Sequence, residues 1–356
     1  MASGSHLGEV SMARVRWIAV VAGLAVAVCA AVTRGEPPAD EFRDYAVAEA
    51  VFLQRGNTAI DQPLAVENDF GPAPGTTLLS AGDMGYGVAP GVRLFAGRRR
   101  EDCRGWEIGY LGVYGMRADA GVTGVGTLSL PGGLGQILGS GFDAADAVAA
   151  TTNSSLCSAE FNVFDFWSDG GRDRSSPYPW RRSHDGRTTH DWLLGVRWAW
   201  LDETAALDVT AVAGEPASAY RVRTDTNWIG PQIGYRRRTE WQAWAFEGWA
   251  KTALAGTVVS QSQDALVGPF DGVEVRGPTR AASGGVGMIG DLNFTLVRHF
   301  GDVWAVRAGY NLLWLTNAAV AANQWDFSDT AASGTGLVDS STVFLHGASV
   351  GLEARW

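Results

Sequence analysis

Several short stretches carry residue types that do chemistry elsewhere. Gly347-Ala348-Ser349-Val350-Gly351 has the spelling of a nucleophile elbow. That motif needs a strand-turn-helix and downstream acid and histidine partners. Only five residues follow, none of them histidine, so the serine has no base. Gly285-Val286-Gly287-Met288-Ile289-Gly290 spells a dinucleotide fingerprint. It works where a strand precedes it and a helix N-terminus follows to hold the pyrophosphate. Here a Ser/Gly loop precedes and an alternating, strand-like run follows. Glycines in such a run permit bends and close packing. His184-Asp185 and His190-Asp191 could form a metal site or a proton-transfer pair. They flank a Gly/Arg-rich linker with no third ligand at a recognisable spacing, so a solvated loop is expected. No catalytic residue, metal or cofactor is assigned.

Composition narrows the classes further. The net charge is −10 and the arginines are scattered, which argues against a nucleic-acid partner. Arg14 and Arg16 precede an apolar run from Trp17 to Ala31 that ends in small residues. This is the pattern of a secretory signal, too short for a spanning helix with a stop-transfer flank. Residues 1–35 are read as that signal, the first eleven as a start-site artefact, residues 36–44 as a polar linker and 45–356 as one domain. Cys29 belongs to the signal; Val28 before it disfavours a lipoprotein acceptor. Cys103 and Cys157 fall near opposite ends of the expected topology, beyond the ~7 Å that a disulfide spans between Cα atoms, and are expected as free thiols.

The elements that must position everything else alternate with period two. Trp304, Val306, Ala308, Tyr310, Leu312 and Trp314 share one face; Ala305, Arg307, Gly309, Asn311 and Leu313 share the other. Ten steps of about 3.3 Å, tilted by ~40°, span about 25 Å, the apolar band of an outer-membrane barrel. The same pattern recurs around Trp106, Trp192, Trp200, Trp244, Phe344 and Trp356. With Trp304, Tyr310 and Trp314 these form the expected aromatic girdle, Trp304 and Trp314 at opposite interfaces. A soluble β-sandwich also alternates, but its strands are shorter and its aromatics are not gathered at strand ends.

About ten strands are expected: 45–55, 88–98, 106–116, 155–166, 192–202, 227–237, 241–255, 285–298, 303–315 and 342–356. The links between them alternate short and long, as periplasmic turns and external loops do. Residues 167–191 break that rule, being long where a short turn is due. A hairpin hidden in 203–226 would make twelve strands. The fold class is therefore all-β, a closed antiparallel transmembrane barrel inserted in the outer membrane.

The last strand ends on Ser349, Gly351, Ala354 and Trp356, which resembles the assembly signal read by the barrel-assembly machinery. Ala354 is smaller than the usual apolar residue there. Beyond this, the mature chain resembles beta-barrel porin family seven, the planctomycete-type outer-membrane barrels. The resemblance rests on an ordered set: Val51 to Asn57, Pro90 to Arg98, Trp106 to Tyr110, Asn153 to Glu160, Arg307 to Trp314 and Phe344 to Trp356. It implies an outer-membrane barrel with lipid as its partner, and it supplies neither a solute nor a catalytic residue.

The polar face then points inward: Arg93, Glu107, Glu160, Asn162, Arg197, Gln232, Glu247, Lys251, Asp291, Asn293, Arg307 and Glu353. Acids and bases are interleaved rather than gathered in rings of one sign. A salt-bridged plug and a narrow diffusion path are both open readings, the long loops folding over or into the mouth. Glu247 is expected to meet Gln232 or Asn293, and Lys251 to meet Asp291, on adjacent strands. A structural or loop-presenting protein without conductance is the alternative. An omptin-like surface protease, also a ten-stranded barrel, would need acidic pairs and an Asp–His pair above the rim. The external segments offer Asp83, Asp225, Asp264 and Asp326, and only His346 lies near that rim.

Overall fold

The computed structural model describes residues 42–68, 75–100, 105–164, 187–211, 217–269 and 272–356. The expected signal, Cys29, Cys103 and the His184-Asp185 pair lie outside these residues. Ten long strands form the wall: β1 (Phe42–Arg55), β2 (Val88–Arg100), β3 (Gly105–Ser129), β4 (Ala145–Phe164), β5 (Arg187–Ala211), β6 (Ala217–Trp241), β7 (Trp244–Gln263), β8 (Thr279–Phe300), β9 (Trp304–Ala318) and β10 (Ser341–Arg355). Each pairs antiparallel with its neighbour in sequence. The ring closes because β1 pairs with both β2 and β10, with Val51 opposite Gly91 on one side and Ser349 on the other. Closure removes the open edges that an antiparallel sheet would otherwise expose.

Among the described residues the wall has ten strands, not twelve, with five shorter strands in the segments between them. The segment expected to be a loop or hidden hairpin, 203–226, instead prolongs β5 and β6, which pair continuously from Arg187↔Glu240 to Thr210↔Ala217. The turn expected at 238–240 falls at Gln242, in a left-handed backbone conformation, so Arg238 and Glu240 belong to the wall. β1 begins at Phe42, three residues into the expected linker.

Alternation sorts the wall into two faces. Outward residues include Ile229 and Leu254, 62% and 65% exposed. An exposed apolar surface of this extent marks an interaction with lipid or protein. Trp106, Trp192, Trp304, Tyr310 and Phe344 are exposed on this outer face, with Trp200, Trp244, Trp314 and Trp356 partly covered. In β3 the parity flips once. Gly115, at φ +69°, makes a bulge between Val113 and Met116, after which even-numbered residues face inward.

Candidate functional site

The bore has two zones. The zone nearer the short turns is polar. Arg307 of β9 bonds Glu49 of β1 at 2.9 Å and Glu247 of β7 at 2.7 Å, and also pairs with Glu353. Arg238 of β6 reaches Glu240 at 3.0 Å, Glu247 at 2.9 Å and Glu353 at 3.4 Å. Beside this cluster, Arg236 bonds Glu107 at 2.8 Å and Asp191 at 3.1 Å, and Arg99 pairs with Asp191. Higher in the bore, Arg197 meets Asp291 at 3.1 Å, and Arg93 donates to Asn311.

Every residue expected to face the bore is buried inside it, from Asn293 at 0% exposed to Glu160 at 9%. Their partners differ from expectation. Lys251 lies opposite Asp291 in register, yet its ammonium pairs with Glu160 and approaches Glu107 at 3.6 Å. It also sits over the rings of Phe95 and Trp249, at 4.9 and 5.2 Å. Glu247 pairs with Arg238 and Arg307 rather than with Gln232 or Asn293. Gln232 instead donates to Glu160 at 2.8 Å and Asn162 at 2.7 Å, and Asn293 donates to Asn311 at 2.7 Å. The bore is narrow enough that long side chains meet opposite walls, so nearest-strand pairing is a poor guide.

Sequence reasoning missed Glu49, Arg99, Asp191, Arg236, Arg238, Glu240 and Arg355. All but Glu49 lie on strands with an inward residue already assigned, so counting by twos from Arg93, Arg197, Gln232 or Glu353 reaches them. With these included, the cations of the polar zone are Arg93, Arg99, Arg197, Arg236, Arg238, Lys251, Arg307 and Arg355. The facing carboxylates are Glu49, Glu107, Glu160, Asp191, Glu240, Glu247, Asp291 and Glu353. Among the described residues this zone is therefore charge-neutral. A vestibule with about 750 Å³ of free space, open solvent included, runs among them from Asp44, Arg99 and Arg355 up to Phe95 and Trp249.

The zone nearer the long loops is apolar. Val51, Leu53, Val113, Met116, Leu156, Leu201, Trp228, Ile289, Leu315 and Val343 line the wall. Chain from the loops fills the space between them. Leu64, Leu79, Leu134, Phe142, Trp325 and the short 3₁₀ turn Ala321–Gln324 are all buried. Hydrogen bonds fasten this cap. Thr224 donates to Ala319 O at 2.9 Å, Gln263 to Gln324 O at 3.0 Å, and Ile60 N to Asn323 at 2.6 Å.

The residues singled out for chemistry are used otherwise. His190 and Asp191 point to opposite faces: Asp191 to the bore, His190 outward to the Tyr235 hydroxyl. His346 also faces outward, bonding Tyr310 at 2.7 Å and stacking beside Phe344. Asp83 caps the turn at Ser80, Asp225 holds Trp200 and Asn227, and Asp326 holds Ser328 and Gly334. Ser349 and the Gly285–Gly290 run lie within strands. Cys157 is a free, buried thiol on the outer face beneath Tyr110 and Tyr114.

No family model matches the chain, and no curated protein matches it. Among solved structures, the outer membrane protease OmpT from Escherichia coli is similar over 91% of this chain and 100% of its own, at 8% identity and a TM-score of 0.39. A Pseudomonas aeruginosa FadL homologue is similar over 89% and 90%, at 10% identity and a TM-score of 0.24.

Proposed function

We propose that this chain is an outer-membrane barrel closed to passive diffusion, a scaffold that holds a folded cap at the outer face. One observation carries the reading: the bore is stopped towards the long loops by an apolar core built from those loops, and below it a charge-neutral network of paired side chains lines the vestibule. A selective channel would favour a continuous wet path with one sign of charge along it. The apolar outer wall and aromatic girdle support membrane placement. Entry through a signal, assembly by way of the terminal strand and the kinship with beta-barrel porin family seven complete the reading. Asp83 and Asp326 are engaged in a cap and a turn, and Asp225 holds Trp200 and Asn227 on the wall, which favours a structural role for these three over a catalytic one.

Planar-bilayer recording tests this. Protein shown by flotation to have entered phosphatidylcholine vesicles is expected to give no steady conductance steps. A variant with residues 321–334 replaced by a short Gly/Ser linker is expected to flicker. Stable steps from the unaltered protein would refute closure.

A further inference from the structure

The interior balances its own charge, but the outer wall near the short turns does not. Arg237 of β6 is exposed on the outer face, and no carboxylate accepts from it among the described residues. On one side it stands opposite His190 of β5, whose ring nitrogen is hydrogen-bonded to the Tyr235 hydroxyl. Trp192 packs on Tyr235 with ring centroids 5.3 Å apart. On the other side Arg237 stands opposite Gly248 of β7. A Cβ at Gly248 would meet only Asn293 O at 3.3 Å and Phe294 Cδ1 at 3.7 Å. The wall there is a shallow notch, floored by backbone and bounded by Arg237 and Phe294. Along the wall from the notch, Ile233 and Phe294 are exposed and apolar, 43% and 49%.

We propose that this notch holds the phosphate of a glycerophospholipid headgroup, with Arg237 as its cation, the His190–Tyr235 pair as hydrogen-bonding groups, and the acyl chains lying over Ile233 and Phe294. The proposal rests on the membrane placement given above. Its reasons are local. An exposed guanidinium at the edge of an apolar belt needs an anion to offset its desolvation. A guanidinium matches phosphate in geometry as well as charge. Aromatic rings with polar tips beside it suit the boundary between headgroup and chain. With no side chain at Gly248, the headgroup has the room that a larger residue would take.

Native mass spectrometry of the detergent-purified chain tests it. The probes are dimyristoyl phosphatidylglycerol and, separately, dimyristoyl phosphatidylcholine. The unaltered protein is expected to keep phosphatidylglycerol in preference. Arg237→Gln is expected to lower its retention about fivefold, the effect of one interfacial arginine. Arg237→Lys should keep most of it, and Arg280→Gln, at the far end of the barrel, should change nothing. Gly248→Leu is expected to lower it as well by filling the notch. Equal retention of the two lipids, or no change in Arg237→Gln, overturns the proposal. Displacement by millimolar inorganic phosphate would show a free-anion site and overturn the lipid assignment. Flotation in phosphatidylcholine vesicles reads membrane insertion separately, so a barrel that does not insert refutes the placement and not the notch.

Discussion

Arg55, at the loop end of β1, crosses the bore to pair with Glu203 of β5, four strands away around the ring. The pair lies inside the apolar zone, both residues 2% exposed. The guanidinium sits 4.6 Å from the Tyr86 ring centroid. The Glu203 carboxylate accepts from Ser154 Oγ at 3.1 Å and from the Ala321 amide at 3.0 Å. One ion pair thus joins two walls and two loop segments. It ties the cap to the barrel together with the Thr224–Ala319 and Gln263–Gln324 hydrogen bonds.

Breaking one half of this pair leaves the other charged and buried. Glu203→Ala is expected to destabilise the barrel by about 3–5 kcal/mol, whereas the double change Arg55→Met with Glu203→Leu costs far less. Urea unfolding in detergent, followed by heat-modifiable gel mobility, measures both. A single variant as stable as the parent would show that the pair does not hold the cap.

Lys251 is the sole lysine of the chain, which makes the polar zone easy to probe. It is 4% exposed and held by Glu160. Amidination of the folded barrel by a small imidate is expected to run roughly tenfold or more slower than in the denatured chain. Equal rates would mean that water and solutes pass freely through the network.

Gly290 is needed for close approach on the outer face. A Cβ there would lie 1.9 Å from Cε2 and 2.0 Å from Cζ2 of Trp314, whose indole covers the glycine. Gly290→Ala must push the ring away from the wall. A loss of about 1–3 kcal/mol is expected from overpacking, read as a lower urea midpoint, and Gly290→Ala with Trp314→Leu should recover most of it.

Asp326, in the loop between β9 and β10, has its carboxyl held below the ordinary range. Burial raises it, but the Ser328 hydroxyl, the amides of Gly334 and Ser328 and the nearby Arg276 outweigh that. A carboxylate lowered by folding stabilises the cap above the ordinary aspartate value of about 3.8, and that contribution drains away as pH falls below it. Amide exchange over residues 326–334, corrected for intrinsic rates, should therefore quicken as the pH falls below about 4. In Asp326→Asn it should already be fast at neutral pH and change little on acidification.

The strands, their number and their two faces were legible because alternation with period two is local: each residue's side follows from its neighbours in sequence. Trp304 and Trp314 show this on the outer face, Glu353 and Arg307 on the inner. The parity flip at Gly115 escaped that logic, since a bulge depends on a backbone conformation that glycine permits but does not demand. So did the length of β5 and β6, whose upper halves turn Leu207, Val209, Tyr220 and Val222 to the inner face and Asp208, Arg221 and Arg223 to the outer, the reverse of the pattern lower in the wall. Tertiary structure alone decided the pairings in the bore. Lys251 and Asp291 are neighbours in register, but the ring brings Glu160 to the lysine from another wall. It also decided that Leu134, Phe142 and Trp325, set in loops without periodicity, meet Leu53, Met116 and Trp228 in one core. Which charges pair and which loops fill the bore depend on closure of the ring, and closure sets distances between residues that no spacing in the chain encodes.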